Sequence, residues 1–372
     1  MKKEMAGKNT KVTNTSNILK TIWLSKGISR TDISKKLRID KSTVTVIVTS
    51  LLRKKIVFEE QILDAGPKGG RKPVILKINN SFGFIAGIEI HADFYRAVLI
   101  NFDGKIVYSF HNKKVINITN ISYIFEHIIS RFINYDANTV LLGVGLSLSG
   151  VINSTTGEII QSLPLDIYNF DIQKELQKHV SIPVYIENDA NACCLGELVF
   201  NKNENLENFL FLLVEFYDSL SAGKVNNDIG VGIGFVFNRK IHHGQNHSAG
   251  EFRSIRLNRE NKHSQLAIEP KDSDFINFAE ELSEHIAFLA NTLNLNHIFI
   301  GGDLENYKEI FTPLLQNAVS RNWVYKIENE CHIHYSSFGK FAAAYGAAGM
   351  MMNNLFTSKE YIQNLYFEKI SV

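Results

Sequence analysis

Two stretches of this chain carry the same rhythm, and that repetition limits its fold more than any other feature. The first runs FIAGIEI, YRAVLINFDGKIVYSF, a helical stretch over 120–134, then the buried run TVLLGVGLSL. The second runs FLFLLVEF, IGVGIGFVFNRKIHHG, a helical stretch over 275–293, then HIFIGG. Continuous apolar runs bounded by turn residues are strands covered on both faces. DGK makes the tight turn in the first set, and NRK holds that place in the second. The pattern predicts two related α/β lobes with a cleft between them, roughly residues 81–195 and 196–340, followed by a C-terminal helix over 339–372. A chain of 372 residues has room for this body and one further domain.

Residues 1–80 supply that further domain. They hold 18 Lys and Arg against 6 Asp and Glu, whereas the rest of the chain holds 22 against 32. A basic block ahead of a mildly acidic body is the charge layout of a nucleic-acid-binding head. Three helices are predicted. The first, over 16–26, carries Ile18, Leu19, Ile22 and Trp23 at helical spacing. The second starts at Ser29, where S-R-T-D offers a cap with a carboxylate three residues on, and ends near Leu37. The third starts at Asp40 as N-cap and buries Val44, Ile47, Val48, Leu51 and Leu52 along one face. Its opposite face begins with Lys41, Ser42, Thr43 and Thr45, short polar and basic groups that suit base edges and phosphates in a major groove. IVFEEQIL and PVILKI then flank DAGPKGGRK as a β-hairpin whose tip carries Lys68, Arg71 and Lys72, placed for phosphate or minor-groove contact. Together these predict a winged helix-turn-helix that binds DNA. The alternative is a small helical domain with a solvated basic hairpin.

No apolar run is long enough to span a bilayer, and the basic start MKKEMAGKNTKVTNTSN has no apolar stretch behind it. A cytoplasmic location with no membrane partner is expected. Cys193 and Cys194 are adjacent and Cys331 is distant, which gives neither a disulfide framework nor a CxxC metal pair.

The body resembles the ROK family of bacterial sugar kinases and sugar-responsive repressors. The segments that carry the resemblance, in order, are GVGLSLSGVINSTTGEII, YIENDANACCLGE, GVGIGFVFNRKIHHGQNHSAGE, IFIGGDLENY and FAAAYGAAG. ENDAN is the most specific and SAGE the next. The head, with SRTDISKKL and DKSTVTVIV, is similar to the repressor branch, which includes xylose and N-acetylglucosamine regulators. The resemblance implies an actin-like, ribonuclease H-like two-lobed fold. It also implies a sugar site at Asn188, Asp189 and Glu251, with Ser149, Gly150 and His247 around them. In the kinases the residue at the Asp189 position takes the proton from the attacking sugar hydroxyl. An amide and a carboxylate side by side can each pair with adjacent hydroxyls. Asn188 and Asp189 also stand where a helix N-cap after VYIE would stand, and the two roles are compatible.

The departures from the family point away from catalysis. Its first phosphate loop reads Asp, apolar, Gly, Gly, Thr, where this chain has Glu89, Ile90, His91, Ala92 and Asp93. Side chains replace the glycines that let backbone N–H groups reach phosphate, and Asp93 is expected to face the anion with negative charge. Val231 replaces a Thr hydroxyl in the second loop, and Gly230, Gly232 and Gly234 remain. The family's zinc site is lost: Ser254 stands at its His position, and RLNRENKHSQLAIEP holds no cysteine and one histidine, His263. His242, His243 and His247 are dense but lack a known ligand spacing, so no metal and no cofactor is expected.

The resulting expectation is a sugar-responsive repressor with a degenerate kinase domain. Its partners are operator DNA, a small neutral sugar as inducer, and a second copy in a homodimer or higher homo-oligomer. Two other readings stand beside it. One is an active ROK kinase phosphorylating a hexose with ATP. The other is a regulator controlled by a protein partner.

Overall fold

The computed structural model describes residues 2–25, 27–61, 74–136, 139–201, 206–217, 229–257, 264–268, 274–325 and 331–362. The hairpin-tip residues Lys68, Arg71 and Lys72 lie outside them, as does His263.

The N-terminal part holds α1 (Lys2–Leu24), α2 (Arg30–Leu37), α3 (Lys41–Arg53) and an antiparallel pair, β1 (Val57–Gln61) with β2 (Val74–Ile78). The first helix starts fourteen residues earlier than the apolar spacing predicts, because Lys2–Thr15 shows little apolar stripe, although Val12 and Thr15 are buried. Ser29 caps α2 as expected: its hydroxyl oxygen accepts from the Asp32 N–H at 3.1 Å. Asp40 holds the N-cap place of α3 but makes no side-chain cap bond, which corrects the expected capping role. The stripe of α3 is buried at Val44, Ile47, Val48 and Leu51, with Leu52 half-buried.

The body begins with β3 (Phe84–Ile90), β4 (Phe94–Asn101) and β5 (Ile106–Lys113), an antiparallel meander. Helix α4 (Ile121–Ile133) follows; its Ile121, Ile124, Phe125, Ile128, Ile129 and Phe132 form one buried face. Strand β6 (Leu141–Leu148) then pairs parallel with β3. A small antiparallel sheet comes next, β7 (Val151–Asn153), β8 (Glu158–Ser162) and β9 (Ile167–Phe170). The sequence reading passed over it, because its strands are short and rich in polar residues. Helix α5 (Ile172–Gln177) leads to β10 (Val184–Asn188), parallel to β6, and α6 (Asp189–Phe200) follows directly. The second half repeats the plan: β11 (Phe209–Phe216), β12 (Ile229–Phe237), β13 (Lys240–Ile241), α7 (Phe275–Thr292), β14 (His297–Gly302), α8 (Lys308–Arg321) and β15 (His332–Tyr335). The chain closes with α9 (Ala342–Thr357) and α10 (Lys359–Ile362).

The two large sheets run β5-β4-β3-β6-β10 and β13-β12-β11-β14-β15. In each, the first strand of its half is central. The next two pair antiparallel on one side, and the last two pair parallel on the other. The duplication read from the sequence is therefore present strand for strand.

The expected boundaries are less clean than the sheets. The lobe boundary at 195/196 falls inside α6. The expected single C-terminal helix is two helices, and α9 lies on the first sheet. A side-chain carbon at Gly145 of β6 would sit 1.9 Å from the Ala347 carbonyl oxygen. Nor does residue 80 separate two cores. One cluster joins Ile22, Trp23, Ile33, Val48 and Leu76 to Val98, Phe102, Met351, Leu355 and Phe356.

Candidate functional site

Strands β6 and β10 both end at the cleft, as ligand-carrying strands do in open α/β sheets. Between the lobes lies a cavity of about 320 Å³. Ser149, Gly150, Asn188 and Asp189 line one side; Glu251, Gln265 and the Gly230–Gly232 backbone line the other. Five of the six residues expected at a sugar site therefore converge. His247 is the exception. It is not among the lining residues, and its ring lies 6.0 Å from that of His243. Its backbone is left-handed, with φ 59°, a region that His enters more readily than most non-glycine residues.

Asn188 does cap α6. Its Oδ1 accepts from the Asn191 N–H at 3.1 Å, while its Nδ2 donates to the Gly150 carbonyl at 3.1 Å and to Asp189 Oδ1 at 2.9 Å. The cap thus fixes Asp189 at the cavity wall. Burial pushes the Asp189 carboxyl up to about 6, against the backbone N–H of Ala190, which favours the charged form. Glu251 stands at the more open mouth, where its backbone bridges Gly232. Desolvation by the cleft walls and the Asp189 charge raise its carboxyl above the usual range. Ser149 is 8% exposed, lines the cavity, and its hydroxyl makes no hydrogen bond among the described residues. Such a buried hydroxyl is an open donor and acceptor for a polar ligand.

The far end of the cavity is closed by side chains. The His91 ring stacks on Phe94 and on Tyr217, 4.8 Å from each. Its Nδ1 lies 2.9 Å from Asp93 Oδ1 and its Nε2 3.2 Å from the Tyr217 hydroxyl. Asp93 is thus engaged with His91, not directed at an incoming anion as the sequence suggested. Burial disfavours the imidazolium, but the hydrogen bond and charge of Asp93, with the charges of Glu215 and Asp189, raise the His91 pKa overall. Below this lies a buried ion cluster. Arg96 donates to both oxygens of Glu215, at 2.8 and 3.2 Å, and to Glu89 at 3.2 Å. Burial drives the Glu89 carboxyl to about 7 despite the guanidinium. Both the His91–Tyr217 and Arg96–Glu215 contacts cross from one lobe to the other.

The glycines of GVGIG have packing duties. A side-chain carbon at Gly230 would lie 1.9 Å from the Tyr217 hydroxyl, and one at Gly234 would lie 2.5 Å from Cys194 Sγ on α6. Where the family carries zinc, hydrogen bonds gather the loop. The fully buried Glu281 accepts from the Ser254 hydroxyl and from the N–H groups of Ala267 and Ile268, both at 3.0 Å. Gln265 exchanges two bonds with the Val231 backbone, each 2.7 Å. Among the described residues, no group of three or more His, Cys, Asp or Glu side chains is arranged to hold a metal. His243 is bound to Glu187 at 2.9 Å, and that bond raises its pKa.

Sequence reasoning missed Arg96, Glu215, Tyr217, Gln265 and Glu281. A signal existed for the first two: a charge inside an otherwise apolar strand must find a buried partner. In the N-terminal part, Lys41, Ser42 and Thr45 are exposed on the first turns of α3 and Thr43 is half-buried. The Thr45 hydroxyl donates to the Lys41 carbonyl at 2.7 Å.

Known proteins resemble the chain at both scales. Residues 85–268 match the ROK family. A xylose repressor from Staphylococcus xylosus is 31% identical over 243 residues, 64% of this chain and 59% of that protein. One from Caldicellulosiruptor bescii is 29% identical over 245 residues, 65% of this chain and 58% of that protein. The chain thus spans under three fifths of the length of these relatives. The Escherichia coli DNA-binding transcriptional repressor Mlc is 20% identical across 91% of this chain and 92% of its own. Among solved structures, a ROK family transcriptional regulator described as a homologue of that Mlc protein superposes with TM-score 0.75 at 19% identity, over 94% of this chain and 98% of that one. A Streptomyces griseus ROK family glucokinase, in complex with glucose and AMPPNP, superposes with TM-score 0.58 at 17% identity, over 72% and 99%.

Proposed function

Since residues 85–268 of this chain are a ROK family domain, we propose that the protein is a sugar-responsive transcriptional repressor whose kinase chemistry is lost. Residues 1–80 act as a winged helix-turn-helix, with α3 as recognition helix and Lys41, Ser42, Thr43 and Thr45 toward the DNA. Lys68, Arg71 and Lys72 belong to the wing in this reading. Residues 81–372 act as the sensor.

One observation carries the reading. The Asn188, Asp189 and Ser149 end of the cavity is open, while the end that matches the kinase phosphate loop is filled by His91 and Tyr217 over a buried ion cluster. A phosphate there would have to displace two stacked rings and approach Glu89 and Glu215, two carboxylates that share the single Arg96 guanidinium. Without a phosphoryl donor, Asp189 serves as a hydrogen-bond acceptor for a sugar hydroxyl. The loop held by Glu281 takes over the ordering that zinc gives the family. A neutral sugar suits the site, because its carboxylates at Asp189 and Glu251 disfavour an anionic ligand. D-Xylose heads the candidates, since the relatives in hand are named xylose repressors. A two-fold DNA site read by a homodimer is the expected target. No helix among the described residues is long and apolar enough to cross a membrane.

The test is selection of DNA from a random pool by the full chain, followed by affinity measurement with and without D-xylose, D-glucose and N-acetylglucosamine. Enrichment of a two-fold sequence whose affinity changes with one sugar supports the reading. Failure to enrich any sequence refutes it.

A further inference from the structure

Helix α6 begins in the ligand cavity and ends against the N-terminal part of the chain. Asp189, its first residue, lines the cavity, and Asn188 caps it. Its twelve residues span about 18 Å at the α-helical rise. Phe200, its last residue, meets Trp23 of α1 edge to face, with ring centres 6.3 Å apart.

The joint has little slack. The Phe200 ring stacks on Tyr345 of α9 at 4.1 Å and touches Phe338 at 6.2 Å. Side-chain carbons at Gly104 and Gly349 would each come within 2.8 Å of it, so backbone closes two further sides. Gly104 has φ 87°, and its carbonyl accepts from the Tyr345 hydroxyl, which fixes the ring beneath Phe200. Trp23 is 3% exposed and also packs on Phe356, 5.3 Å away. The cluster that holds Trp23 also holds Ile18, Leu19 and Ile22 of α1 with Val44, Ile47, Val48 and Leu51 of α3.

Along its length α6 is held as a rod. Ala190, Ala192, Cys193, Cys194 and Gly196 are buried, and Gly196 lies against Gly346 of α9. Glu197 accepts from the Ser337 N–H at 3.2 Å. Close-packed interiors pass a displacement on because they cannot absorb it.

We propose that the Phe200–Trp23 contact is the joint through which sugar occupancy at Asp189 reaches α3. This rests on the repressor reading above. A sugar that draws on Asn188 and Asp189 shifts α6 along its axis. Phe200 then carries the shift to Trp23, and α1 and α3 turn with it. The sugar acts by favouring one of two arrangements of this joint, and its leverage equals its difference in affinity for the two.

The experiment uses the full chain with its selected DNA site, D-xylose as probe, and the variants Phe200→Leu, Phe200→Tyr and Trp23→Phe. Three quantities are read: DNA affinity without sugar, D-xylose affinity by calorimetry, and the ratio of DNA affinities with and without D-xylose. The joint predicts that Phe200→Leu binds DNA and D-xylose within about threefold of the parent while its ratio falls about tenfold, or 1.4 kcal/mol of coupling. Phe200→Tyr keeps the ring and the ratio. In a Trp323→Phe background, where Trp23 alone fluoresces, D-xylose changes the emission. If Phe200→Leu leaves the chain unfolded, Trp23→Phe supplies the same comparison, with a reduced ratio expected. A parent ratio of one for every sugar in the panel removes the repressor reading and the joint with it. A responsive parent, with Phe200→Leu and Trp23→Phe ratios equal to it, overturns the joint alone.

Discussion

Replacing Arg96 with Met removes the guanidinium that Glu89 and Glu215 share, and both carboxylates are less than a tenth exposed. Removing one partner of a buried ion pair costs roughly 3–5 kcal/mol, since the other charge is left without compensation. Unfolding entropy is about 2.1 cal/mol/K per residue, or about 0.8 kcal/mol/K for 372 residues unfolding together. The expected fall in Tm at pH 8 is therefore roughly 4–6 °C. The fall should depend on pH in a stated direction. Glu89 has a reference value of 4.5 and titrates near 7 in the fold, so the folded chain holds that proton more tightly. The stability this adds is full below 4.5 and is lost as pH rises through 7. At pH 5.5, below the value near 7, Glu89 is largely protonated in the parent and needs the guanidinium less, so the Tm gap narrows. Arg96→Met with Glu215→Gln should recover part of the loss at pH 8. Differential scanning calorimetry of the three proteins at pH 5.5 and pH 8 decides the matter. A gap below about 1 °C at pH 8, or the same gap at both pH values, would refute the buried-cluster reasoning.

Asp189→Ala and Glu251→Ala should each abolish the effect of D-xylose in a DNA-binding titration while leaving sugar-free DNA affinity intact; a parental response in both would place the hydroxyl contacts elsewhere. A coupled ADP-release assay over hexoses and pentoses should show no turnover, and turnover that vanishes in Asp189→Asn would restore kinase chemistry. Lys41→Ala should weaken binding to the selected DNA by about 1–3 kcal/mol if it reads a base edge, and more than binding to random DNA; equal loss on both would assign it to the backbone. Glu281→Gln should lower thermal stability by about 1–3 kcal/mol through the weakened Ser254, Ala267 and Ile268 bonds, and calorimetry showing no change would remove its role as the loop's anchor.

What the sequence made legible follows from which forces act locally. The buried face of α4 and the stripe of α3 are visible because burial repeats at the helical period. Most strands of the two large sheets are visible because apolar runs such as FLFLLVEF suit a covered position, whereas β15, the short polar run HIHY at the sheet edge, is not. Helix α1 begins unannounced, since the sequence of residues 2–15 carries few apolar residues and no helical stripe, although Val12 and Thr15 are buried. The same limit hides the cleft. Glu89, Arg96 and Glu215 lie in three separate strands, and their meeting depends on how the two halves of the chain close on each other.

That dependence also explains why the two ends of the cavity differ in legibility. Asn188, Asp189, Ser149 and Gly150 come from strand ends and a helix cap within one half of the chain, where sequence motifs preserve local geometry. His91 and Tyr217 come from different halves. Reading His91 as an obstacle to phosphate needs only the sequence, but its role as a tie between the lobes appears only when Tyr217 is seen against it. The His91 ring, stacked on Tyr217 across the cleft with its Nε2 3.2 Å from the Tyr217 hydroxyl, gives the two lobes a direct contact that neither half's sequence announces by itself.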